Sequence, residues 1–177
     1  MTIKKTYIFL SLLVLIAALG YVNRSAIIIK VLPNAVTKVM AGDKIADLGD
    51  GMHVALCGAG GPMPSSTRSG PCVAVIANNK MFVVDAGSGG SRNLGRMGFS
   101  TGSIGAVFLT HFHSDHIDGL GELSMTRWVT GTHKEALPVF GPTGVESVVE
   151  GFNHAYGQDA VYRHAHHGDS VAALSGN

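Results

Sequence analysis

The sequence predicts a mixed α/β domain behind an apolar amino-terminal segment, and three observations carry that expectation. Short apolar runs bounded by turn residues crowd residues 53–85, helical and strand patterns alternate after residue 91, and 24 glycines in 177 residues supply tight turns. His53 to Cys57 reads as a strand, followed by a loop rich in Gly, Pro and Ser from Gly58 to Gly70. Cys72 to Ala77, the turn Asn78-Asn79, and Lys80 to Asp85 spell an antiparallel hairpin. Ser91 to Met97 predicts a short helix, Ile104 to Thr110 and Leu137 to Phe140 two further strands, and Val145 to Tyr156 a helix that opens after Gly141-Pro142. A sheet with two apolar faces must bury both. Only one sheet's worth of strands is written before Asn177, so the domain over residues 51–177 is expected to be truncated at its carboxyl end.

The first thirty residues predict a signal peptide or membrane anchor. Lys4 and Lys5 precede an apolar run from Tyr7 to Val22, with Asn23 and Arg24 beyond it. The run is shorter than the ~20 residues of a comfortable spanning helix and long for a cleaved segment. Ala18-Leu19-Gly20 suits a peptidase, while Ile27 to Ile29 resume the hydrophobicity and suit an uncleaved transmembrane helix. Residues 31–50 read as a linker. On this reading the protein is extracytoplasmic, periplasmic or secreted, with the inner membrane as the anchor's partner.

The net charge of +1, with no block of like charges, gives no strong nucleic-acid signal. Cys57 and Cys72 form no C-x-x-C pair, which leaves two buried apolar residues or, in an exported chain, one disulfide. Nine histidines against one tryptophan are the informative imbalance, because histidine is the commonest metal ligand near neutral pH.

Four ligand-type side chains occupy six consecutive positions after the apolar strand Ala106 to Leu109: His111, His113, Asp115 and His116. In an extended segment His111 and His113 fall on one side and can reach one metal; Asp115 and His116 follow a turn and can face a second. Two metals ~3.5–4 Å apart would share a hydroxide and polarise a scissile bond. Single histidines at strand ends are ordinarily surface residues, and His53 and His133 are read so; four ligand-type side chains together are not.

The segment Thr110-His111-Phe112-His113-Ser114-Asp115-His116-Ile117-Asp118-Gly119 resembles the H-x-H-x-D-H signature of the metallo-β-lactamase superfamily. Val54 to Pro62 is similar to the opening strand and glycine-rich turn of its ribonuclease Z-like branch, and Phe82 to Gly87 to that branch's F-D-x-G strand end. The resemblance implies an αββα sandwich, present here as its amino-terminal half, with a zinc pair at the sheet edge. It implies that His111 and His113 bind the first zinc and Asp115 and His116 the second, that Asp115 moves a proton in turnover, and that Asp85 supports the ligand loop. Asp85 alone reads equally as a turn or cap carboxylate. The family completes its site with a further His, a bridging Asp and a last His. Tyr162 to Asp169 holds three histidines and an acid, but it follows a helix and lacks a presenting strand, so it reads as a surface or substrate-side loop. The expected function is a zinc-dependent hydrolase acting through a metal-bound hydroxide on a phosphodiester or related ester. The alternatives are hydrolysis of a β-lactam or lactone, or a non-catalytic truncated metal-binding protein.

Overall fold

A computed structural model describes residues 43–177 and, upstream, Tyr7, Leu13, Val14 and residues 18–25. The chain divides into two units, Met1–Ala41 and Gly42–Asn177. In the second unit one sheet has the order β1-β2-β3-β4-β5, with β1 at Met52–Gly58, β2 at Cys72–Ala77, β3 at Lys80–Val84, β4 at Ile104–Phe108 and β5 at Val139–Phe140. The helices are α1 (Gly90–Met97), α2 (Ser114–Ile117), α3 (Leu120–Gly131), α4 (Val145–His167) and α5 (Asp169–Ala172).

The pairing directions decide where chemistry can sit. β1 to β3 pair antiparallel in sequence, whereas β4 joins β3, and β5 joins β4, in parallel. Hence β1, β3, β4 and β5 run the same way and end at one edge. Val84 pairs with Phe108, which sets the residues following β3 beside those following β4. In open α/β sheets, ligands bind at such carboxyl ends.

The hairpin between β2 and β3 forms as its turn demands. Asn78 and Asn79 both have positive φ, 49° and 58°, which a two-residue turn of the I′ type needs and asparagine tolerates. In β1 the register shifts between Leu56 and Gly58, leaving Cys57 as the extra residue of a bulge opposite Cys72. The two sulfurs are joined as a disulfide, and both residues are buried. Of the two readings of the cysteines, the structure therefore holds the cross-linked one.

Alternation in the strands buries one face: Cys72, Ala74, Ile76, Met81, Val83 and Ile104 pack with Leu94 of α1 and with Leu120 and Leu123 of α3. The other face is apolar too. Met52, Val54 and Leu56 on β1 are exposed, as are Phe108 and Phe140, whose rings stack at 5.2 Å. The amino-terminal edge of the unit is tied down by Asp43. Its side chain accepts the amide hydrogens of Ile45 and Ser100 and pairs with the Ser103 hydroxyl. That places Ile45, in the short 3₁₀ turn Lys44–Asp47, inside the core, so the last residues of the expected linker pack with the domain.

Three expectations need correction. α4 runs eleven residues past Tyr156, to His167, so Tyr162 to His167 are helical and not a loop. α3 was not expected at all. The transmembrane helix expected at the amino terminus is also overturned, and nothing among the described residues supports the signal segment. Among the described residues no helix is long and apolar enough to cross a membrane. Where that segment is described, the side-chain amide of Asn23 donates to Leu19 O and Arg24 donates to Tyr21 O. The rest of that expectation falls outside the described residues.

Candidate metal centre

The site grows out of the ends of β3 and β4. Asp85, the residue after β3, has φ 60°, a left-handed conformation that an aspartate adopts only where its surroundings hold it. They do so here from both sides. Its amide donates to Phe108 O at 2.9 Å, and the next amide, of Ala86, donates to His116 O at 2.8 Å. The carboxylate, buried from solvent, accepts the Thr110 amide at 2.8 Å on Oδ1 and faces His116 Nδ1 at 2.8 Å through Oδ2. Thr110 Oγ1 lies 3.0 and 2.9 Å from the two carboxylate oxygens.

The motif then turns sharply. His113 caps the one-turn helix α2, and the Gly119 amide closes the turn onto Ala86 O at 2.8 Å. The approach is tight enough that a Cβ on Gly119 would sit 2.7 Å from Gly87 O and 2.8 Å from Ala86 O. Asp118 adds a second clasp, since the Ser88 amide donates to its Oδ1 at 2.6 Å.

This geometry brings the predicted residues into two pairs. His111 Nε2 lies 3.0 Å from His113 Nδ1, and His116 Nε2 lies 3.7 Å from Asp115 Oδ2. The pairs adjoin: the rings of His111 and His116 are 4.0 Å apart, centroid to centroid. Among the described residues, however, no group of three or more His, Cys, Asp or Glu side chains stands ready around a single ion. In donor chemistry the set fits zinc, for imidazole nitrogens and carboxylate oxygens are its usual ligands and a carboxylate behind a ligating imidazole is its usual support.

The carboxyl-terminal histidines take other partners. His164 Nδ1 bonds Ala172 O at 3.0 Å, and the His166 and His167 rings stand edge to face at 4.6 Å. His53 and His133 bond the backbone carbonyls of Gly49 and Gly102. Thr110 and Asp118 were the residues that sequence reasoning passed over. Both lie inside or beside the motif, and only the fold shows what their oxygens bond. Next to Asp115 an open cleft of about 460 Å³ is lined by Pro64, Arg68, Ser69, Ser88, Ser114 and Asp118, among others.

A β3–β4 edge carrying this loop is the ribonuclease Z-like form of the metallo-β-lactamase fold, of which the chain holds a part. A family model described as the anti-Pycsar protein Apyc1 matches residues 52–143, just over half of the sequence. The chain belongs to that family. Ribonuclease Z of Mycobacterium sp. (strain KMS) is 41% identical over 122 residues, covering 68% of this chain and 43% of that protein. Among solved structures, human tRNase Z, short form, superposes with a TM-score of 0.52 at 26% identity, covering 59% of this chain and 39% of the human one. The metallo-β-lactamase fold protein YhfI of Bacillus subtilis gives 0.48 at 28% identity, covering 56% and 40%. The chain thus spans less than half the length of the curated relatives it matches.

Proposed function

We propose that this chain carries the metal-binding part of a zinc-dependent hydrolase of phosphodiesters or related esters. His111 and His113 would hold one zinc, and Asp115 and His116 a second. The observation that carries the proposal is the facing of His111 Nε2 and His113 Nδ1 at 3.0 Å, beside a His116 whose Nδ1 is taken by Asp85 and whose Nε2 is left toward Asp115. Bound zinc would supply Lewis acidity and a nucleophile derived from water. The residues themselves have separate tasks. Asp85 keeps His116 in the tautomer with a free Nε2 lone pair, Asp115 takes or returns a proton at its free carboxylate oxygen, and the cleft with Arg68 accepts an anionic ester. The kinship with ribonuclease Z supports phosphorus over a carbonyl as the centre attacked. The Cys57–Cys72 disulfide supports an oxidising, extracytoplasmic compartment.

The test is zinc per chain on the purified full chain, together with turnover of bis(p-nitrophenyl) phosphate and nitrocefin. Two zincs with phosphodiester turnover alone is the expected result. Nitrocefin turnover would move the assignment to β-lactams, and a chain that takes up no zinc would end the proposal.

A further inference from the structure

Thr110 links two groups that the proposed site uses, and its hydrogen-bonding capacity constrains both. A threonine hydroxyl has one proton to give and lone pairs to accept with. Thr110 Oγ1 stands 2.9 Å from Asp85 Oδ2 and 3.0 Å from Oδ1, and on its other side 3.0 Å from His111 Nδ1. A carboxylate can only accept, so the hydroxyl proton goes to Asp85. The remaining contact is then satisfied only if His111 carries its proton on Nδ1 and donates it to Thr110. His116 meets the same carboxylate directly through its own Nδ1. One buried aspartate thereby dictates the tautomer of two histidines, the first through a hydroxyl and the second without one, and leaves Nε2 of each as a lone pair; that of His111 faces His113 Nδ1 at 3.0 Å and accepts its proton while no metal is bound.

We infer that Thr110 is a positioning residue that relays the Asp85 carboxylate to His111 and presents its Nε2 to a metal. The relay deepens the proposed function and rests on it for its purpose, but the tautomer itself needs no metal to be present. It differs from a general packing role, because Thr110 is not in the buried core and its methyl group is not what the bonds require.

The test compares the full wild-type chain with Thr110→Val and Thr110→Ser, each stripped of metal and labelled with ¹⁵N-histidine. Long-range proton–nitrogen correlation spectra, recorded where imidazole is neutral and assigned with His111→Gln, read the tautomer. A competition titration against a chelating dye reads zinc affinity. Wild type is expected to show His111 protonated on Nδ1, valine to populate the Nε2-protonated form and to lose about 10- to 100-fold in zinc affinity, and serine to restore both. An Nε2-protonated His111 in the wild type, an unchanged tautomer in Thr110→Val, or a serine variant that behaves like valine overturns the relay. Failure of wild type to bind zinc while the tautomer responds as described would remove the proposed function and leave the relay standing.

Discussion

Asp85 Oδ2 and His116 Nδ1 lie 2.8 Å apart, though 31 positions separate them in sequence. This single contact fastens the end of β3 to the far side of the turn that holds His111 to His116, so one buried carboxylate bears on both the fold and the orientation of the His116 ring. Asp85→Asn should separate these duties. Asparagine tolerates the positive φ and can still accept the Thr110 amide, so the fold should survive with a loss of about 1–3 kcal/mol. Zinc affinity should fall about 10- to 100-fold. Denaturant titration and chelator competition measure the two, and an unaltered affinity would deny Asp85 its supporting role.

Asp115→Ala removes a carboxylate that is largely shielded from solvent and lies 3.7 Å from His116 Nε2. The expected outcome is zinc reduced from two per chain to one, and phosphodiester turnover lowered by at least about 10²-fold, the size of a lost acid–base group. Metal analysis and initial rates check it together, and two retained zincs with full turnover would remove Asp115 from the site.

The disulfide closes a loop with a sequence separation of 15. A cross-link of that span is worth about 3 kcal/mol through the unfolded chain. Cys57→Ala with Cys72→Ala should lower stability by about that amount, read as a shift in the denaturant midpoint at unchanged slope. Intact mass after alkylation without reductant should show no free thiol in the wild type. Two alkylated cysteines would contradict the linkage.

Arg127 is the buried cation of α3. Its guanidinium donates to Ile104 O at 3.2 Å and Glu135 O at 2.7 Å, and burial pulls its pKa below the ordinary arginine value, opposed by the charge of Glu135. The group stays protonated across the working pH range, since arginine starts above about 12. Arg127→Met keeps the volume but leaves two carbonyls without their donor, costing about 2–4 kcal/mol. The loss should be the same at about pH 6 and pH 9; a loss that varies between them would assign the effect to another group.

Much of this was legible in the sequence, and the exceptions have physical reasons. The hairpin could be read because Asn78-Asn79 has a local turn chemistry that tertiary packing only ratifies. The clustering of His111, His113, Asp115 and His116 could be read because the four fall within six positions directly after β4, so the chain itself holds them close. α3 could not, although Leu120, Leu123, Arg127 and Trp128 are buried at helical spacing, because Gly121 and Gly131 weaken the pattern. The reason for Gly121 lies elsewhere in the chain: a Cβ there would collide with the ring of Tyr156 on α4. The far end of α4 was obscured in the same way, since Tyr162 to Asp169 looks like a surface or substrate-side loop until the helix places His164, His166 and His167 in its last turn. Asp43 gave no signal, as its three partners include residues 57 and 60 positions away.

The chain contains one tryptophan, and Trp128 is buried with its indole Nε1–H donating to Ala173 O at 2.8 Å. The last residues therefore lie against the only strong fluorophore of the protein. Its emission is a built-in optical gauge: blue while the carboxyl-terminal turn is seated, and red-shifted once that turn lifts away and water reaches the ring.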